Sequence, residues 1–155
     1  MEDLVLTTPL GRIVLQLRAD AAPQTVVHVA ALVRAGGGPR LFYRSDFVIQ
    51  CGLHGSGATS PLPPLRVNES SRRPRLSNLR GAAALAHFDT PDCGGSEIFV
   101  SLRANPHLDD AYGGFCVFAE VAQNDAASWA AVDAIAAAVA GGARPTVTSA
   151  IVPRG

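Results

Sequence analysis

Residues 42–52 read FYRSDFVIQCG. Aromatic and β-branched side chains dominate the stretch, as they do in strands. Leu41–Arg44 and Phe47–Cys51 form either two strands or one bent strand. Within this apolar run stand one permanent cation, Arg44, and one amide, Gln50. Either both point into water, or both point at a substrate.

Working outward, short β-rich runs recur along the chain. Glu2–Thr7 and Arg12–Leu17 flank Thr8-Pro9-Leu10-Gly11, a hairpin pattern with a Pro-and-Gly turn. Ala82–Ala86, Ile98–Leu102, Phe115–Val121 and Thr146–Pro153 are further strands. Two helices interrupt them. The first follows Asp20, an expected N-cap, with Pro23 in its first turn. Its apolar face is Val26, Val29, Ala30 and Val33, and Gly36–Gly38 stop it. The second spans Asn124–Gly141, with Trp129, Val132, Ile135, Ala136 and Val139 on its apolar face. Gly52–Arg66 is a loop rich in Gly, Ser and Pro. No repeat or interdomain linker is visible, so residues 1–155 read as a single domain. About eight short strands and two helices predict a closed antiparallel barrel whose ends the helices cover.

The 155 residues are 48% hydrophobic and 17% charged, a globular balance. The formal net charge is zero, which argues against nucleic-acid binding. All 13 basic residues are Arg, a compositional bias from which no function follows. Met1–Leu17 lacks the pattern of a signal peptide, and no apolar run is long enough to span a membrane. Cys51, Cys93 and Cys116 are odd in number and widely spaced, which predicts a reducing, cytoplasmic setting.

Four chemistries fit the residue types. Asp92-Cys93-Gly94-Gly95-Ser96, with His87 and Asp89, loosely echoes a nucleophilic triad, but glycine-rich turns with Ser are common. Cys51, His54, His87, Cys93, His107 and Cys116 are metal-ligand types, yet only Cys51 and His54 are closely spaced, so no metal is expected. Pro61-Leu-Pro-Pro64-Leu-Arg66 fits a polyproline ligand for an aromatic groove, although a plain loop is the simpler reading. The fourth is Arg44 beside Phe47 and Gln50 on one face of the barrel. A guanidinium held by an amide above an apolar floor has no nucleophile. It could still act on rotation about an X–Pro bond, whose barrier of ~18–20 kcal/mol is electronic. A donor at the prolyl nitrogen favours the twisted, deconjugated state. On residue chemistry alone, solvent and substrate remain equal readings of Arg44.

The chain resembles a cyclophilin, a peptidyl-prolyl cis-trans isomerase, nearly from end to end. Thr8-Pro-Leu-Gly11 with Ile13–Leu17 resembles the opening hairpin, and Ala22-Pro23-Gln-Thr25-Val26 the start of the first helix. Phe42-Tyr-Arg44 with Phe47-Val-Ile-Gln50-Cys-Gly52 is similar to the family's F-x-R…F-x-x-Q-x-G signature, with a shorter spacer. Gly94-Gly-Ser-Glu97-Ile-Phe99-Val100 is similar to N-G-S-Q-F-F-I. Leu108-Asp109 and Val117-Phe-Ala-Glu-Val121 resemble L-D-G…V-F-G-x-V. The resemblance implies an eight-stranded antiparallel barrel with two capping helices. It implies Arg44 as the catalytic arginine, Gln50 as its positioner and Phe47 as a third member of the catalytic set. Val48, Ala86, His87, Glu97, Phe99, Leu108 and Phe115 would contact substrate, with Phe47, Phe99 and Leu108 lining the proline pocket. Phe42, Ile49 and Cys51 would be strand packing. Proline-containing peptides or proteins are the implied partners, and no cofactor is needed.

Several positions depart from the family pattern. Glu97 replaces a Gln and could tie Arg44 up. Ile98 replaces a Phe, Phe115 a His and His107 a Trp, the last at the specificity rim and expected to weaken cyclosporin binding. Two insertions fall in the Thr90–Gly95 and Asp110–Gly114 loops. The expected function is prolyl isomerisation by a monomeric domain. The alternative is a cyclophilin-fold binding module or assembly subunit with weak or no catalysis, carrying a stable partner on its rim or Pro-rich loop.

Overall fold

The computed structural model describes residues 1–88 and 93–154. Eight strands lie in one antiparallel sheet: β1 (Glu2–Thr8), β2 (Gly11–Leu17), β3 (Leu41–Ser45), β4 (Val48–Gly52), β5 (Ala82–Leu85), β6 (Ile98–Ser101), β7 (Val117–Val121) and β8 (Thr148–Pro153). Helices α1 (Pro23–Arg34) and α2 (Ala126–Ala140) complete the fold. The spatial order is β3-β4-β6-β5-β7-β2-β1-β8. The Arg44 stretch is therefore two strands, not one bent strand.

The expected closure is not complete. The sheet rolls into a half-barrel whose edge strands, β3 and β8, share no ladder. One bridge, Leu41 to Thr146, spans the seam, with Phe42 N–H donating to Pro145 O and Val147 N–H to Arg40 O. These contacts come from residues just before β8, and Pro145 has no N–H to extend them.

Alternation sorts each strand into two faces. The inner faces supply Leu4, Leu6, Ile13, Leu15, Phe42, Ile49, Cys51, Ile98, Val100 and Phe118 to one core. Val26 and Val29 of α1, with Val132, Ile135 and Val139 of α2, pack against it. Leu32 is buried and Val33 only partly so, which turns the face of α1 slightly from its expected line. In α2, Trp129 is only partly buried, with the Arg80 guanidinium over its ring.

Asp20 does not cap α1. Its carboxylate pairs with Arg18, which holds the Asp20 carboxyl below its ordinary value. The N-terminal amides of α1 are satisfied from a distant loop instead. The buried Glu69 accepts from Gln24 N–H (3.2 Å), Thr25 N–H (2.7 Å) and the Thr25 hydroxyl (2.8 Å). A carboxylate there also suits the positive end of the helix.

Candidate active site

A second, smaller apolar cluster lies on the outer face of the sheet. Val48, Ala84, Phe99 and Leu108 form it, with Phe47, Ala86 and Phe115 packed on top. One cross-strand row underlies the site: Arg44 of β3 faces Gln50 of β4, Gln50 faces Phe99 of β6, and Phe99 faces Ala84 of β5. A groove of ≈ 640 Å³ opens over this row. It is lined by Arg44, Phe47, Val48, Gln50, Ala86, His87, Phe88, Phe99, Leu108, Tyr112 and Phe115.

A bulge in β3 makes the polar end of the groove. Phe42 pairs with Cys51 and Arg44 with Gln50, so Tyr43 is the extra residue. Strict alternation from the core-facing Phe42 would send Arg44 inward. The bulge restores it to the outer face and leaves Tyr43 there too. Both side chains consequently reach Gln50. Arg44 Nη1 donates to Gln50 Oε1 (3.1 Å), and Gln50 Nε2 donates to the Tyr43 oxygen (2.9 Å). Burial, and Glu97 beside it, raise the Tyr43 hydroxyl above its ordinary range, so it stays protonated.

Asp46, in the β3–β4 turn, holds the other side of the guanidinium. Arg44 Nε donates to Asp46 Oδ2 (2.8 Å), and Asp46 Oδ1 accepts from Val48 N–H (3.2 Å). The pair is nearly half exposed, so its own stability contribution is small, ~0–1 kcal/mol. Its effect is geometric. Arg44 Cζ sits 5.1 Å from the Phe47 ring centroid, while Nη2 has no hydrogen-bond partner among the described residues.

Glu97 lies outside the groove lining and does not bond Arg44. It accepts instead from Tyr43 O–H (2.9 Å), Ser96 O–H (2.5 Å), Leu53 N–H (3.1 Å) and His54 N–H (3.2 Å). Gly52 makes the space: a Cβ there would stand 2.1 Å from Glu97 Oε1. Glu97 thus reaches Arg44 only through Tyr43 and Gln50. His107 is also outside the lining and packs edge-on against Phe47, centroids 5.5 Å apart.

Phe115 is not a strand residue, because β7 begins at Val117. It turns into the groove, edge-on to Phe99 (5.5 Å) and stacked on His87 (4.2 Å). Asp109 fixes this wall. Its carboxylate accepts from Asn78 N–H (2.8 Å), Asn78 Nδ2 (2.8 Å) and the Ser77 hydroxyl (2.5 Å). Asn78 Nδ2 also donates to Phe115 O (3.1 Å), and Phe115 N–H to Leu108 O (2.9 Å). Partial burial opposes ionisation of Asp109, but these bonds hold its carboxyl below the ordinary value.

The other candidates do not assemble. Ser96 donates to Glu97, and both His87 ring nitrogens contact carbonyls, those of Phe88 and Gly114. Asp89, Thr90 and Asp92 lie outside the described residues. Cys51 is buried in the core while His54 sits outside against Tyr43, so that pair diverges. Among the described residues no three His, Cys, Asp or Glu converge to hold a metal ion. Tyr43, Asp46, Phe88 and Tyr112 are site residues that sequence reasoning did not assign. Only Asp46, two residues past Arg44, carried a local signal.

The family model described as cyclophilin type peptidyl-prolyl cis-trans isomerase/CLD matches residues 4–153. The chain belongs to the cyclophilin family. Peptidyl-prolyl cis-trans isomerase cyp18 of Streptomyces antibioticus is 32% identical, over 79% of this chain and 78% of that protein. Peptidyl-prolyl cis-trans isomerase CYP23 of Arabidopsis thaliana is 30% identical over 79% of this chain, which spans only 56% of that relative's length. A cyclophilin type isomerase of Cryptosporidium parvum, crystallised in the presence of the dipeptide Ala-Pro, shares the fold. Its TM-score is 0.78 at 19% identity, covering 99% of both chains.

Proposed function

We propose that this cyclophilin catalyses cis-trans isomerisation of X–Pro bonds in peptides and proteins. The carrying observation is the Arg44 guanidinium, clamped on two sides and without a partner at Nη2 among the described residues, beside an apolar pocket. The pocket of Phe47, Val48, Phe99, Leu108 and Phe115 takes the prolyl ring. Arg44 Nη2 donates to the prolyl nitrogen as the amide twists. In the planar ground state that lone pair is delocalised into the carbonyl, and it becomes a good acceptor only when rotation breaks conjugation. The donor therefore binds the transition state more tightly than either ground state. Gln50 and Asp46 hold it in place beforehand, so no reorganisation is needed at the moment of rotation.

The test is relaxation of a chromogenic X–Pro peptide after a solvent jump, with Arg44→Ala as the comparison. Loss of one preorganised donor predicts a fall of about 10²–10³-fold. If wild type and Arg44→Ala both relax at the rate of buffer, the enzyme reading fails. A stable partner whose binding survives Arg44→Ala but not a change to the rim or the Pro-rich loop would then favour the binding-module alternative.

A further inference from the structure

The groove is larger than one prolyl ring requires. At ≈ 640 Å³ it lies among sites that hold a whole drug-sized ligand, about 300–1,000 Å³. The proline pocket accounts for only the end next to Arg44. Beyond Phe115 the lining continues as His87, Phe88 and Tyr112.

Two of these rings are exposed to a degree unusual for apolar side chains. Phe88 is 85% exposed and Tyr112 63%. Tyr112 also sits at φ 52°, a left-handed conformation costly for a side chain of that size. It is the one such non-glycine residue among those described. Both residues are tied to the site nonetheless, Phe88 through its carbonyl and Tyr112 through its ring. The His87 ring contacts the carbonyl oxygens of both Phe88 (2.5 Å) and Gly114 (2.8 Å) while stacking on Phe115. Tyr112 stands edge-on to the same Phe115, centroids 6.5 Å apart. Phe99, Phe115, His87 and Tyr112 therefore form one connected run of rings leading out of the proline pocket.

We infer that Phe88 and Tyr112 form a second subsite, which takes an aromatic side chain within two residues of the substrate proline. The inference rests on the isomerase reading above and names a substrate class for it. The occupant must be apolar and planar. The residues lining this end present ring faces and edges, and no acid stands among the described lining residues to hold a basic side chain. Ring–ring pairing adds discrimination beyond simple area burial. Continuity with the proline pocket makes the occupant part of the same peptide.

The experiment measures kcat/KM for peptides in which each position within two residues of proline is Ala, Leu, Lys or Phe. Phe is expected to exceed Ala about fivefold or more at one position at least, with Leu between them and Lys not favoured. In Phe88→Ala and Tyr112→Gly the Phe/Ala ratio is expected to fall toward one. Neither change threatens folding: the first removes an exposed ring, and the second places glycine where φ is positive. A flat profile at every position, or an aromatic preference that both variants retain, overturns the subsite. Arg44-dependent turnover of the all-Ala peptide separately reports the isomerase reading, so the two failures are distinguishable.

Discussion

The Tyr43 hydroxyl donates to Glu97 Oε1 at 2.9 Å, and this bond decides which way the Gln50 amide faces. A carboxylate accepts and does not donate, so the single Tyr43 proton must point at Glu97. The Tyr43 oxygen is then an acceptor, and Gln50 turns its NH₂ toward it. That leaves Gln50 Oε1 for Arg44 Nη1. Glu97 thus acts on the arginine at a distance, through Tyr43 and Gln50, instead of sequestering it.

Tyr43→Phe removes the middle of this chain. The Gln50 amide loses its directing partner and Glu97 loses a donor. We expect kcat/KM to fall about tenfold, chiefly through kcat, because positioning is lost while the apolar pocket is untouched. Stability should drop by roughly 1–3 kcal/mol, the cost of an unsatisfied buried polar group. Chromogenic peptide kinetics and urea unfolding check the two parts; an unchanged kcat would remove Tyr43 from the positioning of Arg44.

Glu97→Gln tests the polarity itself. Four donors converge on the carboxylate, and an amide offers one acceptor oxygen plus an NH₂ that must face a donor. A loss of roughly 1–3 kcal/mol is expected, with kcat reduced as in Tyr43→Phe. Gly52→Ala should produce the same phenotype from the other side, since its Cβ would overlap the carboxylate. Activity above wild type in Glu97→Gln would mean that the carboxylate restrains Arg44.

Asp109 should make the groove wall sensitive to acid. Its carboxyl is depressed when folded, so it adds stability above its unfolded pKa of ~3.9, lost as pH falls below that value. Asp109→Asn should be the less stable protein at pH 7, and the difference from wild type should shrink as pH drops from about 5 to 3. Denaturant midpoints across that range measure it. A gap that holds constant at low pH would exclude the ionised carboxylate as its source.

Glu69→Ala serves as a stability change away from the groove. Removing the distant cap of α1 leaves the Gln24 and Thr25 amides without acceptors, at a cost of about 0.5–2 kcal/mol or somewhat more for a buried site. A lower melting temperature with an unaltered isomerisation rate is expected. A parallel fall in rate would show that α1 is coupled to the groove.

Much of the fold was readable because alternation and helical period are local properties. Phe42, Ile49 and Cys51 pack in the core, as the family resemblance implies. The opening hairpin turns at Pro9 and Leu10, with Thr8 paired to Gly11. The bulge at Tyr43 was not readable, since one inserted residue reverses the facing of its neighbours without altering composition. The cap of α1 was missed because Glu69 arrives from 44 residues away from Thr25. The partial closure was missed because strand counting says nothing of whether two edges meet.

By itself the sequence determined the strand-rich architecture, the family and the presence of Arg44, Phe47 and Gln50. These follow from residue type, spacing and order. The tertiary structure alone decided that Glu97 faces Tyr43 and two backbone amides rather than Arg44, and that Phe115 leaves the strand for the groove. Each outcome depends on which donors and surfaces other segments bring within about 3–4 Å, where hydrogen bonds and packing act. Such distances are set by how the chain folds back on itself, not by its order of residues.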